Sequence, residues 1–402
     1  MARRHAWLGA MLVAIVAVLL SEAKLWRPAA RFGPEENVQI AEAEAWRRGR
    51  LDLTERTWDT ALKDGRVYNC FPPMFTFVAT ALSPVFHGVP HPFVVFVLVL
   101  PVPLLAFVLL RRRTGSPWWG AVLAIGFVGG TSAWPILDKT LRGANPYSVN
   151  HTLATIGLLI VLIDAFGRRR MWPAGIGLII GGLSRPLTIL YAIPLAWAAW
   201  RAREEEGDGV ARFRRMLPIG ASLALVAITM GGLNALKFGH LLDFGYSYLY
   251  VDRPDDPIAR DANAYGLFSW RFVARNLYYA NLGFPEVHRI EVAGERETHL
   301  RPNRMGTGIW WTTPLLLWLF VDFRRILANP DERAWLIAAG MVYVALLFYH
   351  NTGYDQRGFN RFSLDYVPVL LAMIAPRCID GRRRWVTLIM VAWSVVYFRW
   401  VI

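Results

Sequence analysis

The sequence predicts an all-α polytopic membrane protein with about eleven transmembrane helices. Three observations carry that prediction. The chain of 402 residues is 55% hydrophobic and only 18% charged, with a mean hydropathy of +0.31, whereas soluble domains carry closer to a quarter charged residues. The apolar residues fall in blocks such as Leu8–Leu20, Phe93–Leu110 and Leu153–Ile163, each near the length a spanning helix needs. The basic residues sit at the ends of those blocks, in the clusters Arg3–Arg4, Arg111–Arg113, Arg168–Arg170, Arg212 with Arg214–Arg215, Arg324–Arg325 and Arg382–Arg384. That distribution follows the positive-inside bias of cytoplasmic loops. It also accounts for the net charge of +14 without nucleic acid, which would need the charges gathered on one folded surface.

Charge parity then threads the chain as a single membrane domain. The first span, Trp7–Trp26, runs outward from a basic N-terminus and is retained rather than cleaved, because many spans follow. Residues 27–90 form a first outer loop. Within it, Phe71–Val89 is apolar but holds Pro72, Pro73 and Pro84. Counting it as a span would also put Arg111–Arg113 outside, so it reads as an interfacial helix. Pro92–Leu110 returns inward and Trp118–Leu137 goes out to a short loop, Asp138–Asn150. His151–Phe166 comes back to Arg168–Arg170. Met171–Trp200 is too long for one helix and basic at both ends, so it reads as a hairpin of two short helices turning at Ser184-Arg185-Pro186. Met216–Leu236 leads to a long outer segment, 237–308. Ile309–Val321, Ala334–Tyr349, Ser363–Ala375 and Trp385–Ile402 complete the threading. Cys70 and Cys378 fall on opposite sides of the membrane, which excludes a disulfide between them. No repeat of fixed period is present, so an inverted-repeat transporter gains no support.

The outer loops hold the residues suited to chemistry. Glu35–Glu36 follows Gly33–Pro34, a turn that aims two adjacent carboxylates in different directions. The structural alternative is a helix start, with Pro34 in the first turn and the glutamates favoured by the dipole. Asp138, Lys139 and Arg142 lie in the second outer loop, either at a site or solvated. Arg185 interrupts an apolar stretch, where an ionisable side chain is expensive and usually functional. Arg357 and Arg361 lie in His350-Asn351-Thr352-Gly353-Tyr354-Asp355-Gln356-Arg357-Gly358-Phe359-Asn360-Arg361-Phe362-Ser363-Leu364-Asp365. A guanidinium fork there suits phosphate oxygens, while an Arg361–Asp365 pair at i, i+4 is the structural alternative. The eight histidines show no metal-binding spacing.

Taken in order, these segments resemble a known superfamily. A short span, Glu35-Glu36-Asn37, an amphipathic helix ending in Gly49-Arg50-Leu51-Asp52-Leu53, then Asp64-Gly65-Arg66-Val67-Tyr68-Asn69-Cys70-Phe71-Pro72-Pro73 is similar to the first outer loop of GT-C integral-membrane glycosyltransferases. These are relatives of protein O-mannosyltransferases and aminoarabinose transferases. Gly358-Phe359-Asn360-Arg361-Phe362-Ser363-Leu364-Asp365 resembles a later outer loop of the same superfamily. The resemblance implies a hexosyl or pentosyl transferase of a bacterial inner membrane. It implies a polyprenyl-phosphate sugar as donor, a glycan, lipid or protein as acceptor, and chemistry on the extracytoplasmic face. Glu35 or Glu36 is implied as the catalytic base, or as the seat of a divalent cation (magnesium or manganese), since family members differ in metal use. Asp138, Lys139, Arg142, Arg185, Arg357 and Arg361 are the implied substrate-binding residues. Two rival readings stand beside it: a polymerase or ligase of lipid-linked glycans, consistent with the long arginine-bearing segment 237–308, and a multi-pass transporter, which only Gly181–Pro186 suits.

Overall fold

The computed structural model describes residue 9 and residues 37–57, 59–86, 94, 97–143, 145–201, 209–252, 256–292, 295–303, 305–353 and 358–400. These are mostly helical. In chain order the helices are α1 (Val38–Arg47), α2 (Met74–Phe86), α3 (Pro101–Thr114), α4 (Pro117–Gly129), α5 (Ala133–Gly143), α6 (Pro146–Ala165), α7 (Trp172–Ser184), α8 (Ala192–Arg201), α9 (Gly209–Phe238), α10 (Pro257–Tyr265), α11 (Val273–Asn281), α12 (Ile309–Thr312), α13 (Trp318–Val321), α14 (Phe323–Ala328), α15 (Pro330–Leu347), α16 (Val367–Ile374) and α17 (Arg383–Trp400). Two antiparallel hairpins interrupt them, β1 (Thr60–Lys63) with β2 (Arg66–Asn69), and β3 (Glu286–Val292) with β4 (Glu295–Arg301).

Among the described residues two helices are long and apolar enough to cross a bilayer, α6 and the Phe213–Phe238 part of α9; α4 with α5 makes a third if the pair is one broken span. The expectation of about eleven full-length spans is not met among the described residues, and the reasons are local. The first expected span, Trp7–Trp26, lies outside the described residues apart from Gly9, as does part of the second. The third is broken at Gly130–Ser132. There the Thr131 hydroxyl donates to Phe127 O (2.6 Å) and accepts from Ala133 N (3.1 Å), so it competes with the helical ladder. Met171–Trp200 is two helices of 13 and 10 residues, about 20 and 15 Å long against a core of about 30 Å. The break falls at Arg185-Pro186, where the sequence places it, and a 3-10 turn (Pro186–Tyr191) follows. Ile309–Val321 is split at Thr313 and Pro314.

The chain forms two compact units. One comprises Ser21–Leu105 with Ile136–Leu267, the other Met1–Leu20 with Ala106–Pro135 and Phe268–Ile402. In the first, α7 packs between α6 and α9 through glycine. A Cβ on Gly157 of α6 would lie 2.5 Å from Gly177 O and 2.6 Å from Gly181 N, and one on Gly175 would lie 2.8 Å from Ser222 Oγ of α9. Small residues at such crossings let backbones approach closely, which is how helices associate in lipid. Two of the segments that parity assigns to the outer face join in this unit. Ala61, Tyr68 and Cys70 from the first hairpin share a core with Phe238, Leu249, Tyr250, Ala259 and Ala262. Arg56 pairs with Asp252 at 2.6 Å.

In the second unit, three of the arginine-bearing loops assigned to the cytoplasmic face converge on acids. Glu332 at the start of α15 accepts Arg113 from the end of α3 at 2.9 Å and also pairs with Arg377. Asp322 pairs with Arg383 at 2.5 Å. Burial weakens Arg113's hold on its proton, and Glu332 opposes that shift.

Candidate functional site

The candidate site begins where α1 begins. Asn37 has an extended backbone (φ −152°, ψ 123°) and its side chain accepts from Gln39 N at 2.7 Å, which caps the helix. The first turn of α1 holds no acidic residue. The helix-start reading of Glu35–Glu36 is therefore corrected: Asn37 does the capping, and the two glutamates precede the cap rather than lying in the first turn. Their own placement lies outside the described residues.

α1 is held by a buried polar network. Glu42, with no exposed surface, receives Lys237 from the end of α9 on Oε1, and Asn69 Nδ2 and Thr76 Oγ1 on Oε2 at 2.6 Å each. The same ammonium donates to Asn69 O at 3.2 Å. One turn earlier, Gln39 Nε2 donates to Pro72 O (2.7 Å) and to Asn150 Oδ1 (3.1 Å). Both protons are then used. The adjoining Gln39 Oε1 and Asn150 Nδ2 are left buried and without a protein partner.

A different side of α1, that of Ala41, Glu44, Ala45 and Arg48, borders a cleft of about 390 Å³, within the usual range for small-molecule sites. Its wall runs from Asn37 and Ala41 on α1 through Arg48, Arg50 and Asp52 to Glu55, Asp59 and Thr60, and is closed by Asn145 and Pro146 at the start of α6. It thus joins the first and second outer loops and opens at the residue that follows Glu35–Glu36. Arg50 Nη2 lies 2.8 Å from Asp52, and this hydrogen bond holds the Asp52 carboxyl below its ordinary range. Glu44 is 3.8 Å from Arg48.

The remaining predicted residues fall as follows. Asp138 and Lys139 belong to α5, not to a loop, because Ile136, Leu137 and Thr140 bury one face of this amphipathic stretch and carry the helix to Gly143. Asp138 is buried, which overturns its reading as a solvated loop charge. Lys139 Nζ donates to Tyr147 Oη at 2.6 Å and lies over the same ring. Arg142 is on α5, with its side chain outside the described residues. Arg185 is half-buried at the break between α7 and the 3-10 turn, in extended conformation, with its N–H on Gly181 O. These residues and the cleft belong to one unit. Arg361 belongs to the other, where it opens a 3-10 turn capped by Asn360 and its guanidinium lies over Phe362. Gly358 in that loop has φ +74°, and a Cβ there would lie 2.3 Å from Asn303 O. Arg357 lies outside the described residues.

The polar network was not read from the sequence, although a signal existed. Val38, Glu42 and Ala45 lie on one helical stripe, and all three are buried, so Glu42 occupies a position where the pattern calls for an apolar side chain. Phe238 and Gly245 have a structural role. Phe238 is buried, stacks on Tyr248 and meets the edge of Tyr68, each at 5.8 Å. Gly245 (φ +75°) leaves room for its ring.

Among the described residues no three acidic, histidine or cysteine side chains converge as a metal site. No family model matches the chain, and no curated protein matches it.

Proposed function

We propose that this chain is an inverting glycosyltransferase of GT-C type, a multi-pass protein of about eleven membrane segments, some of them short or broken. It moves a sugar from a polyprenyl-phosphate donor to an acceptor hydroxyl on the extracytoplasmic face. The observation that carries this reading is the cleft at Asn37. Its lining begins at the residue after the acidic pair, runs through the first outer loop and is completed by Asn145 and Pro146 at the start of α6.

In this reading Glu35 or Glu36 takes the acceptor's hydroxyl proton as its oxygen bonds to the anomeric carbon. The bond from that carbon to the phosphate oxygen breaks, and its electron pair leaves with the lipid phosphate. A single displacement inverts the centre and needs no glycosyl-enzyme intermediate, unlike a retaining hydrolase. Lys139, oriented by Tyr147, offers a cation to the departing phosphate. Arg357 and Arg361 receive the same role from the resemblance alone.

The test is transfer from a labelled polyprenyl-phosphate sugar into membrane acceptors by the purified protein, with the product's anomeric configuration read by NMR. Inverted product is expected. Transfer only from a lipid-diphosphate oligosaccharide would instead assign the chain to the polymerases and ligases.

A further inference from the structure

A second concave surface lies away from the outer cleft. It is a groove of about 460 Å³ between α8 and the first half of α9, lined by Ile193, Ala196, Phe213, Leu217, Gly220 and Leu223 among others. Its lining is almost wholly apolar, and much of it is open. Ile193, Phe213 and Leu217 are exposed, and a Cβ on Gly220 would meet nothing within 4 Å. In water such a surface would be a liability; against a bilayer it is a seat for a hydrocarbon chain.

One end of the groove is cationic. α8 ends at Arg201 and α9 carries Arg214 and Arg215 in its second turn. Arg214 shares a helical face with Leu217 and Ala221, at i+3 and i+7, and both of those line the groove. Trp197 and Trp200 are exposed on the last turn of α8, the side-chain type that marks the head-group level of a membrane. From Phe213 to Leu223 the helix rises about 15 Å, enough to follow most of an acyl chain inward from that level.

We propose that this groove binds an anionic phospholipid of the cytoplasmic leaflet, its acyl chain along Phe213–Leu223 and its phosphate at Arg214. The inference rests on the membrane threading and not on sugar transfer. The arginines at this end belong to clusters assigned to the cytoplasmic face, opposite the proposed transfer site, which favours a phospholipid over the polyprenyl-phosphate donor.

The test uses the full chain in nanodiscs of phosphatidylcholine, with and without phosphatidylglycerol, each lipid in turn carrying a diazirine in its acyl chain. Crosslinked peptides are mapped by mass spectrometry. Labelling by phosphatidylglycerol is expected within 192–196 and 213–223, in preference to phosphatidylcholine. Arg214→Gln should lower that preference by about fivefold, the worth of one arginine at a charged lipid surface. Gly220→Trp should abolish groove labelling, while Ile228→Trp, on an exposed position of the same helix, should leave it intact and so controls for folding. Equal labelling by both lipids, or labelling indifferent to Gly220→Trp, would overturn the proposal. So would displacement of the label by undecaprenyl phosphate but not by unlabelled phosphatidylglycerol.

Discussion

Glu42 on α1 and Lys237 at the end of α9 lie 195 residues apart and form an ion pair shielded from solvent, with Asn69 and Thr76 completing the carboxylate's hydrogen bonds. The pair ties the helix that follows the acidic motif to the C-terminal end of α9. Removing one partner strands the other charge, a loss of about 3–5 kcal/mol in buried pairs. Glu42→Gln and Lys237→Met should each destabilise the folded protein on that scale in detergent-solubilised denaturation. The Glu42→Gln/Lys237→Met double variant should lose less than the two single losses combined, because neither charge is then stranded. Additive losses would show that the two side chains are not coupled.

Asn37 separates helix capping from chemistry. Asn37→Ala removes the acceptor for Gln39 N and should cost about 1 kcal/mol, and Asn37→Asp should restore most of it. Glu35→Gln and Glu36→Gln should leave stability nearly unchanged, since Asn37 supplies the cap. A loss in either glutamine variant as large as that of Asn37→Ala would return the pair to a capping role.

The α6–α7 crossing tolerates no side chain at its glycines. Gly157→Ala places a methyl 2.5 Å from Gly177 O and should cost about 1–3 kcal/mol, the range for overpacking. Gly157→Leu should yield little monodisperse protein by size-exclusion chromatography. Gly232, where an added Cβ meets nothing, should accept alanine without loss.

The thiols give a pH prediction. Burial pushes Cys70 up to about 12 from 9.0, with the negative charge of Asp59 as the next contribution, and burial pushes Cys378 to about 12 as well. Below pH 9 both folded and unfolded chains keep these protons, so the thiols take nothing from stability there. Between 9 and 12 the unfolded chain releases them while the folded chain holds them. Stability should therefore fall as pH rises through that window, by up to about 1.4 kcal/mol per unit for each thiol. Maleimide at neutral pH should label both cysteines only after denaturation. Fast native labelling of Cys70 would contradict its burial among Tyr68, Phe238 and Leu249.

Much of the helical layout was legible in the sequence, for reasons that differ by element. α6 and α9 each have a long apolar run with an arginine cluster at one end; the expected spans His151–Phe166 and Met216–Leu236 match their C-terminal ends closely but begin later than the helices do, at Pro146 and Gly209. The proline argument for Phe71–Val89 anticipates α2, and Arg185-Pro186 marks the break after α7. Other features needed a different eye. Lys63-Asp64-Gly65-Arg66 carries the Asp-Gly signal of a two-residue hairpin, realised with φ of 50° at Asp64 and 73° at Gly65; a reading tuned to helices and charge passes over it. β3 and β4 pair Glu286–Val292 with Glu295–Arg301, a polar stretch with no period-2 apolar pattern to mark it as strand. The Glu42–Lys237 pair was out of reach, because no local pattern reports a contact across 195 positions. Asp138 shows the opposite failure, in which polar composition suggested a loop where one buried face sustains a helix.

The acidic pair is the centre of the proposed chemistry, and kinetics on its variants test it most directly. Wild type, Glu35→Gln and Glu36→Gln are compared for initial rates of sugar transfer from a polyprenyl-phosphate donor, with folding checked by the Asn37-dependent stability above. A general base contributes about 10²–10⁴-fold, so one variant should lose kcat on that scale while its stability and donor binding hold. Two well-folded variants that both retain full transfer would contradict a base at Glu35–Glu36.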